Sequence, residues 1–299
     1  MSDKQLGATP EAIKHHYDVG NSFYSTWLDD SMTYSCAFWE NATDLYDAQI
    51  AKLDFHAEQA KCRNAERVLD VGCGWGGMLE RLVTKYGVRH AVGLTLSDEQ
   101  ADWVKKRSIS GIEVRVEPWI DHEPDGFYDA IISIGAIEHF ATLDESEDEK
   151  VESYRQFFSR CHQWLRPGGH LSLQAIAYGN LLRDDIRGSF VATEIFPESD
   201  FVKLGELVQA SEYLFEIQKL RNDPLDYART CQEWLSRLKK NKAAAVAAAG
   251  QEVAEKWERY LELSIRGWLL RATNLLRISM RRIDNPRVNR VADDGARSA

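Results

Sequence analysis

Residues 68–77 read VLDVGCGWGG, an apolar run that passes straight into a glycine-rich turn. Val68, Leu69 and Val71 suit a strand covered on both faces, and Gly72, Gly74, Gly76 and Gly77 let a ligand approach backbone that side chains would block. The spacing is not the G-x-G-x-x-G of a dinucleotide site. Asp70 stands before the first glycine, where a carboxylate repels a pyrophosphate and welcomes a cation. A positively charged nucleoside cofactor fits such a turn, and S-adenosylmethionine, with its ammonium and sulfonium, is the candidate. Taken alone, such a turn is also found as a plain tight strand-to-helix connection, the less favoured reading here.

On both sides of the turn, strands and helices alternate. The pattern predicts a helix over 45–62, a strand over 67–71, a helix over 78–86, a strand over 90–94 and a helix over 98–107. Strands over 113–116 and 130–134, a helix over 150–164 and a strand over 171–176 follow, with RPGG (166–169) as punctuation before the last strand. This alternation argues an α/β fold with a Rossmann-like, doubly wound sheet whose ligands sit at the C-terminal ends of the strands. The aromatic-rich first forty residues read as short helices over the domain, so residues 1–62 form a helical N-terminal lid. Residues 63–284 form the main domain, with a helical substrate cap at about 180–265 inserted toward the C-terminus. The acidic run 144–149 reads as a solvated loop, and 209–282 as largely helical, including the alanine-rich piece 243–249. The tail 285–299 has too little apolar surface to pack and reads as disordered.

The 299 residues suffice for one substantial core. A net charge of -10 argues against a nucleic-acid partner, because phosphate binding needs clustered Lys and Arg. The basic stretch 259–290, with Trp268, Leu269, Leu270, Leu275 and Leu276, is either a packed helix with a solvated face or a peripheral contact to a membrane surface or an acyl-carrier protein. Five cysteines without C-x-x-C spacing indicate neither a disulfide framework nor a zinc site, so no metal is expected and a cytoplasmic, reducing setting is. No transmembrane segment or leader is read. A homo-oligomer stays open.

Several stretches together are more particular than the glycine turn. HYDVGNSFYSTWLDDSMTYSCAFWE (16–40), GLTLSDEQ (93–100), ISIGAIEHF (132–140), LRPGG (165–169), TEIFP (193–197) and DYARTCQEWLSRL (226–238) resemble the cyclopropane-fatty-acid synthase family, which includes the mycolic acid cyclopropane synthases. The resemblance runs from about His15 to Arg282. It implies a class I methyltransferase sheet and S-adenosylmethionine as cofactor. Tyr34 and Ser35 would close over the methionine end, Gly72 and Gly74 would give backbone contact, and Asp70 would face the ammonium. Thr95, Leu96 and Gln100 would take the place of the acidic residue that holds the ribose in many methyltransferases. Trp119 would cover the adenine, with Ile137 nearby; a core tryptophan is the other reading of Trp119.

The same resemblance makes Glu138 the active-site carboxylate, since it follows the fourth strand where side chains enter the cleft. His139 beside it reads, by itself, as a packed or loop histidine. Relatives that make cyclopropanes hold bicarbonate at positions that fall here on Cys36, Glu138, Gln174, Ile176 and Tyr227. Gln174 stands where the family commonly has histidine; glutamine still donates to an anion but does not titrate, which weakens a bicarbonate site. The implied chemistry is attack of an alkene on the cofactor's methyl to leave a carbocation, which needs a dry, aromatic-lined pocket. Tyr17, Tyr24, Trp39, Phe196 and Tyr227 are candidates for that lining.

Two further segments depart from the family pattern: ESDFVKLGEL (198–207), and GWLLRATNLLRISMRR (267–282), which lacks the glycine and glutamine usual in that last, helical pattern. The reading that follows is a methyltransferase acting on an unsaturated carbon of an apolar, fatty-acyl or isoprenoid-like substrate through Glu138, Tyr227, Cys36 and His139. The alternatives are a small-molecule C- or N-methyltransferase using Glu138 as a base without bicarbonate, and a non-catalytic lipid- or cofactor-binding protein.

Overall fold

A computed structural model describes Gly7, Thr9 and residues 19–284; Tyr17 and the tail 285–299 lie outside the described residues. The longer elements are α1 (Leu45–Gln59), β1 (Arg67–Val71), α2 (Gly77–Tyr86), β2 (His90–Thr95), α3 (Asp98–Arg107), β3 (Ile112–Val116), β4 (Tyr128–Ile134) and α4 (Glu147–Trp164). β5 (Leu165–Tyr178), α5 (Leu204–Ser211), β6 (Phe215–Asn222), α6 (Pro224–Lys240), α7 (Lys242–Ala249), α8 (Gln251–Leu269) and β7 (Thr273–Arg282) complete the chain order. The strands form one sheet in the order β3-β2-β1-β4-β5-β7-β6. Neighbours among β1 to β5 pair in parallel, and β7 lies antiparallel between β5 and β6. The order reverses between β1 and β4, so the crevice for a ligand opens at their C-terminal ends.

Both faces of the sheet are covered, which is why its strands read as nearly continuous apolar runs. Val68, Ala130 and Ile132 pack under Leu53 and Ala57 of α1 and Leu79 and Leu82 of α2. Leu69, Ile131 and Leu173 point the other way, against Tyr154, Phe157 and Phe158 of α4. A third cluster joins Phe23, Trp27 and Trp39 of the N-terminal lid to Trp234 of α6 and Trp257 and Trp268 of α8. The lid is mostly turns: among the described residues 19–44 its one helix is the single turn Asn21–Tyr24, where short helices were expected. α1, grouped with the lid by the sequence, packs beneath the sheet.

The stretch 209–282 is largely helical, as expected, but it also holds two strands, β6 and β7, that the sequence reading did not foresee. Leu276, Ile278 and Met280 face the core under α4 while Arg277 and Ser279 face the other side, a period of two that the surrounding basic residues disguise. The expected loop 144–149 ends inside α4. Ser146 caps that helix, its hydroxyl accepting from Glu149 N at 3.3 Å while Glu149 Oε2 accepts from Ser146 N at 2.9 Å. Acidic side chains in a first helical turn complement the helix dipole, so this charge run is a start signal. RPGG does punctuate: pairing jumps from Tyr128 with Leu165 to Ala130 with His170. In the basic C-terminal stretch, Trp268, Leu275 and Leu276 are buried, while Leu269 and Leu270 at the end of α8 are exposed.

Candidate active site

A cavity of about 180 Å³ opens where β1, β2 and β4 end. Asp70, Gly72 and Gly74 line it from the first turn, Thr95, Leu96 and Gln100 from the second, Trp119 from the third, and Tyr34 and Ser35 from the lid. Nine of the ten expected cofactor residues thus meet in one space. Ile137 does not: it is fully buried in the core, and its neighbours Gly135 and Ala136 form the wall instead. Gly74 has φ +51 and a Cβ there would meet nothing within 4 Å, as expected of backbone facing an open cradle. A Cβ on Gly77 would come within 2.8 Å of the Ser31 carbonyl oxygen, so glycine here lets the lid rest on the first residue of α2.

Buried charge is concentrated at one end of the cavity. Burial raises the Asp70 carboxyl to about 7 and lowers the Lys52 ammonium to about 7, each partner pulling the other back toward its charged form. Lys52 Nζ donates to Ser35 Oγ at 2.8 Å, and Gln49 Nε2 donates to the Ser35 carbonyl at 2.9 Å. Lys52 is a site residue that the sequence reading missed. The signal was there: Gln49, Lys52 and His56 recur at helical spacing, and all three are buried as a polar stripe of α1. At the second turn, Thr95 Oγ1 donates to Gln100 Oε1 at 2.7 Å. Trp119 packs against Phe140 and Phe157 with ring centroids 5.2 and 5.4 Å away, so it is at once a core residue and a cavity wall.

A smaller cavity of about 50 Å³ shares Tyr34, Ser35, Gly135 and His139 with the first. Glu138, Gln174, Ile176, Phe196, Phe201 and Tyr227 complete most of its wall. Glu138 follows β4 on a single turn of 3-10 helix. Its Oε1 accepts from Ile176 N at 2.6 Å, whereas its buried Oε2 has no hydrogen-bond partner among the described residues. Burial lifts its pKa to about 7. His139 Nδ1 lies 2.7 Å from Ser199 Oγ, and burial lowers its pKa to about 4, so the ring is neutral at physiological pH. Tyr227, half-buried, stacks on Trp268 with centroids 4.5 Å apart, and desolvation keeps its hydroxyl protonated.

Not every expected residue reaches this cavity. Cys36 is buried behind the wall, its thiol 3.2 Å from the Ala37 carbonyl oxygen, and desolvation holds it protonated with a pKa of about 12. Tyr24 and Trp39 belong to the aromatic core of the lid, Trp39 Nε1 donating to Thr230 Oγ1 at 2.9 Å. The rings that do line the cavity are Tyr34, Phe196, Phe201 and Tyr227. No group of three His, Cys, Asp or Glu able to hold a metal occurs among the described residues. No described helix is long and apolar enough to cross a membrane.

The mycolic acid cyclopropane synthetase family profile matches residues 4–278. Cyclopropane mycolic acid synthase 2 of Mycobacterium leprae is 32% identical over 279 residues, covering 86% of this chain and 89% of the relative. Among solved structures, the cyclopropane synthase MmaA2 from Mycobacterium tuberculosis superposes with a TM-score of 0.82 at 30% identity, covering 93% of this chain and all of that one. A mycolic acid cyclopropane synthase complexed with SAH superposes with a TM-score of 0.83 at 29% identity, again over 93% of this chain and 100% of that one. S-adenosylmethionine is therefore the cofactor, and the sheet is that of a class I methyltransferase. The chain belongs to the mycolic acid cyclopropane synthase family of S-adenosylmethionine-dependent methyltransferases.

Proposed function

We propose that this enzyme places the cofactor's methyl on an unsaturated carbon of an apolar acyl chain. The observation that carries the reading is the shared wall: Tyr34, Ser35, Gly135 and His139 separate the cofactor cavity from a ring-lined cavity that holds Glu138. Relatives named for mycolic acid cyclopropanation support a lipid acceptor.

When bound, S-adenosylmethionine supplies a methyl made electrophilic by its sulfonium. Asp70 and Lys52, both in the cavity wall, would hold its amino-acid end, a carboxylate for the α-ammonium and an ammonium for the α-carboxylate. Trp119, Ile120 and Phe140 give an apolar slot for the base. Tyr34, Phe196 and Tyr227 exclude water from the acceptor carbon, and their ring faces stabilise positive charge by roughly 0.5 to 2 kcal/mol each when desolvated. Glu138, poised with a pKa of about 7 and a free Oε2, accepts the proton that the methylated carbon must lose. Ile176 N–H pins the other oxygen and fixes the carboxylate's direction.

Of the five groups assigned to bicarbonate, Glu138, Gln174 and Tyr227 face the cavity and fit a small oxyanion. Cys36 lies behind the wall, and the Ile176 amide is taken by Glu138 Oε1 within the cavity. The direct test is incubation of the enzyme with methyl-labelled S-adenosylmethionine and vesicles of a cis-monounsaturated phospholipid, followed by mass analysis of the saponified chains. Label in the chains, with the gain of one CH2 or one methyl branch, is the expected result. Label that never enters the lipid, but enters a small amine from a cell extract, would overturn the acyl assignment.

A further inference from the structure

Arg277 lies in the middle of β7 with 1% of its surface exposed. Its guanidinium joins three segments at once: Gln174 in the wall of the smaller cavity, the lid residues behind that wall, and the start of α6. Nε donates to Gln174 Oε1 on β5 at 3.1 Å. Nη2 donates to the Ala37 carbonyl in the lid at 2.9 Å and lies 3.6 Å from Cys36 Sγ. Nη1 pairs with Asp223 and stands 3.5 Å from Asp226, at the N-terminus of α6 that carries Tyr227. Arg221 also binds Asp223 and stands 3.5 Å from Glu40, so two guanidinium groups face three carboxylates and Arg277 brings no uncompensated positive charge.

The chemistry of the contact sets the direction of the Gln174 amide. A guanidinium has donors and no acceptor, so Gln174 turns its carbonyl oxygen toward Arg277. His56 Nε2 lies 3.4 Å from the same oxygen; desolvation keeps that ring neutral, and Ser172 Oγ, 2.8 Å from Nδ1, serves its other nitrogen. The amide hydrogens of Gln174 are left on the side of the cavity that it lines. Gln174 and the segment 267–282, two of the three places where the sequence departs from the family pattern, thus meet in one contact.

We propose that Arg277 is the positioning residue of the reaction cavity. It holds the Gln174 amide with its N–H donors toward the reacting centre, and it ties the lid segment 34–37 and the turn before Tyr227 to β5. The functional consequence rests on the methyl-transfer reading above; the orientation of Gln174 does not.

Two measurements test it. In a double-mutant cycle on turnover, Arg277→Met and Gln174→Ala should each lower kcat about 100-fold, and the double variant should fall no more than about threefold below the poorer single one. Independent, multiplying losses, or an Arg277→Met enzyme within twofold of the parent, would overturn the assignment. The second readout needs no activity: in protein labelled with 15N-glutamine, the side-chain amide signal lost in Gln174→Ala should be protected from solvent exchange in the parent and unprotected in Arg277→Met. Equal protection in both proteins overturns the proposal. Should Arg277→Met fail to fold, Arg277→Lys keeps the charge beside Asp223 but cannot span Gln174 and Ala37 together, and the same loss is expected of it. A parent enzyme inactive on unsaturated phospholipid would remove the acyl reading and leave the amide measurement to judge Arg277.

Discussion

At Glu138, one carboxylate oxygen is committed to a backbone amide, the other is free, and burial has moved the pKa from 4.5 to about 7. The base form is needed for proton removal, so the rate should rise with pH to a plateau, with a midpoint near 7. Glu138→Gln should lose about 100-fold to 10,000-fold in kcat and that midpoint with it, while binding S-adenosylmethionine normally by calorimetry. The same shift acts on stability. The folded carboxyl keeps its proton where the unfolded one has lost it, so this group's contribution is full below pH 4.5, is lost as pH rises to about 7, and is constant above. The melting temperature of Glu138→Gln relative to the parent should therefore climb between pH 4.5 and 7. Lys52 is the second residue with a testable role. Lys52→Met removes the donor to Ser35 and should weaken cofactor binding about tenfold, read by the same calorimetry, because a charged hydrogen bond at the lid is gone.

Among the elements, α1 does two jobs that its sequence only half announces. Its apolar side packs on the sheet through Leu53 and Ala57, and its polar stripe of Gln49, Lys52 and His56 holds the lid and the wall of the reaction cavity. Polar residues at helical spacing normally mean a solvated face, and only the lid laid across them makes this one a site. β7 teaches the converse: Leu276, Ile278 and Met280 alternate with Arg277 and Ser279 as a strand should, yet the flanking Arg residues read as a basic helix. The helix over 150–164 is legible, but its first turn, Ser146 followed by acidic residues, reads as a loop when only its charge is counted. Ser146→Ala should cost about 1 kcal/mol in urea unfolding through loss of the capping box, with activity unchanged.

On the scale of the molecule, a buried ionic knot joins parts far apart in the chain. Lys150 of α4 pairs with Asp200 at 2.7 Å, and Asp200 also accepts from Arg183 at 2.8 Å and from the Tyr178 hydroxyl at 2.5 Å. The Asp200 amide donates to the Glu138 carbonyl at 3.0 Å, so the knot braces the turn that carries Glu138. Lys150→Met would leave buried Asp200 with Arg183 as its remaining ion-pair partner and take from buried Glu206 the ammonium 3.4 Å away. It should cost about 3 to 5 kcal/mol in chemical unfolding, with a larger loss of turnover than Ser146→Ala shows.

The sequence by itself determined the alternation of strands and helices from β1 to β5, the glycine turn with Asp70, and Glu138 after the fourth strand. These are local features: an apolar run, a turn and its helix are specified by residues close in the chain. Tertiary structure alone decided which polar residues are dry. Lys52 and His56 sit on an ordinary helix, Arg277 in a basic stretch and Cys36 in a motif, and none of these contexts says what is laid over them. Burial under the lid puts Lys52 beside Asp70, Arg277 beside Gln174, and Cys36 behind the cavity wall. Desolvation acts through packing between distant segments, and it is desolvation that sets the charge states and directions on which the site depends.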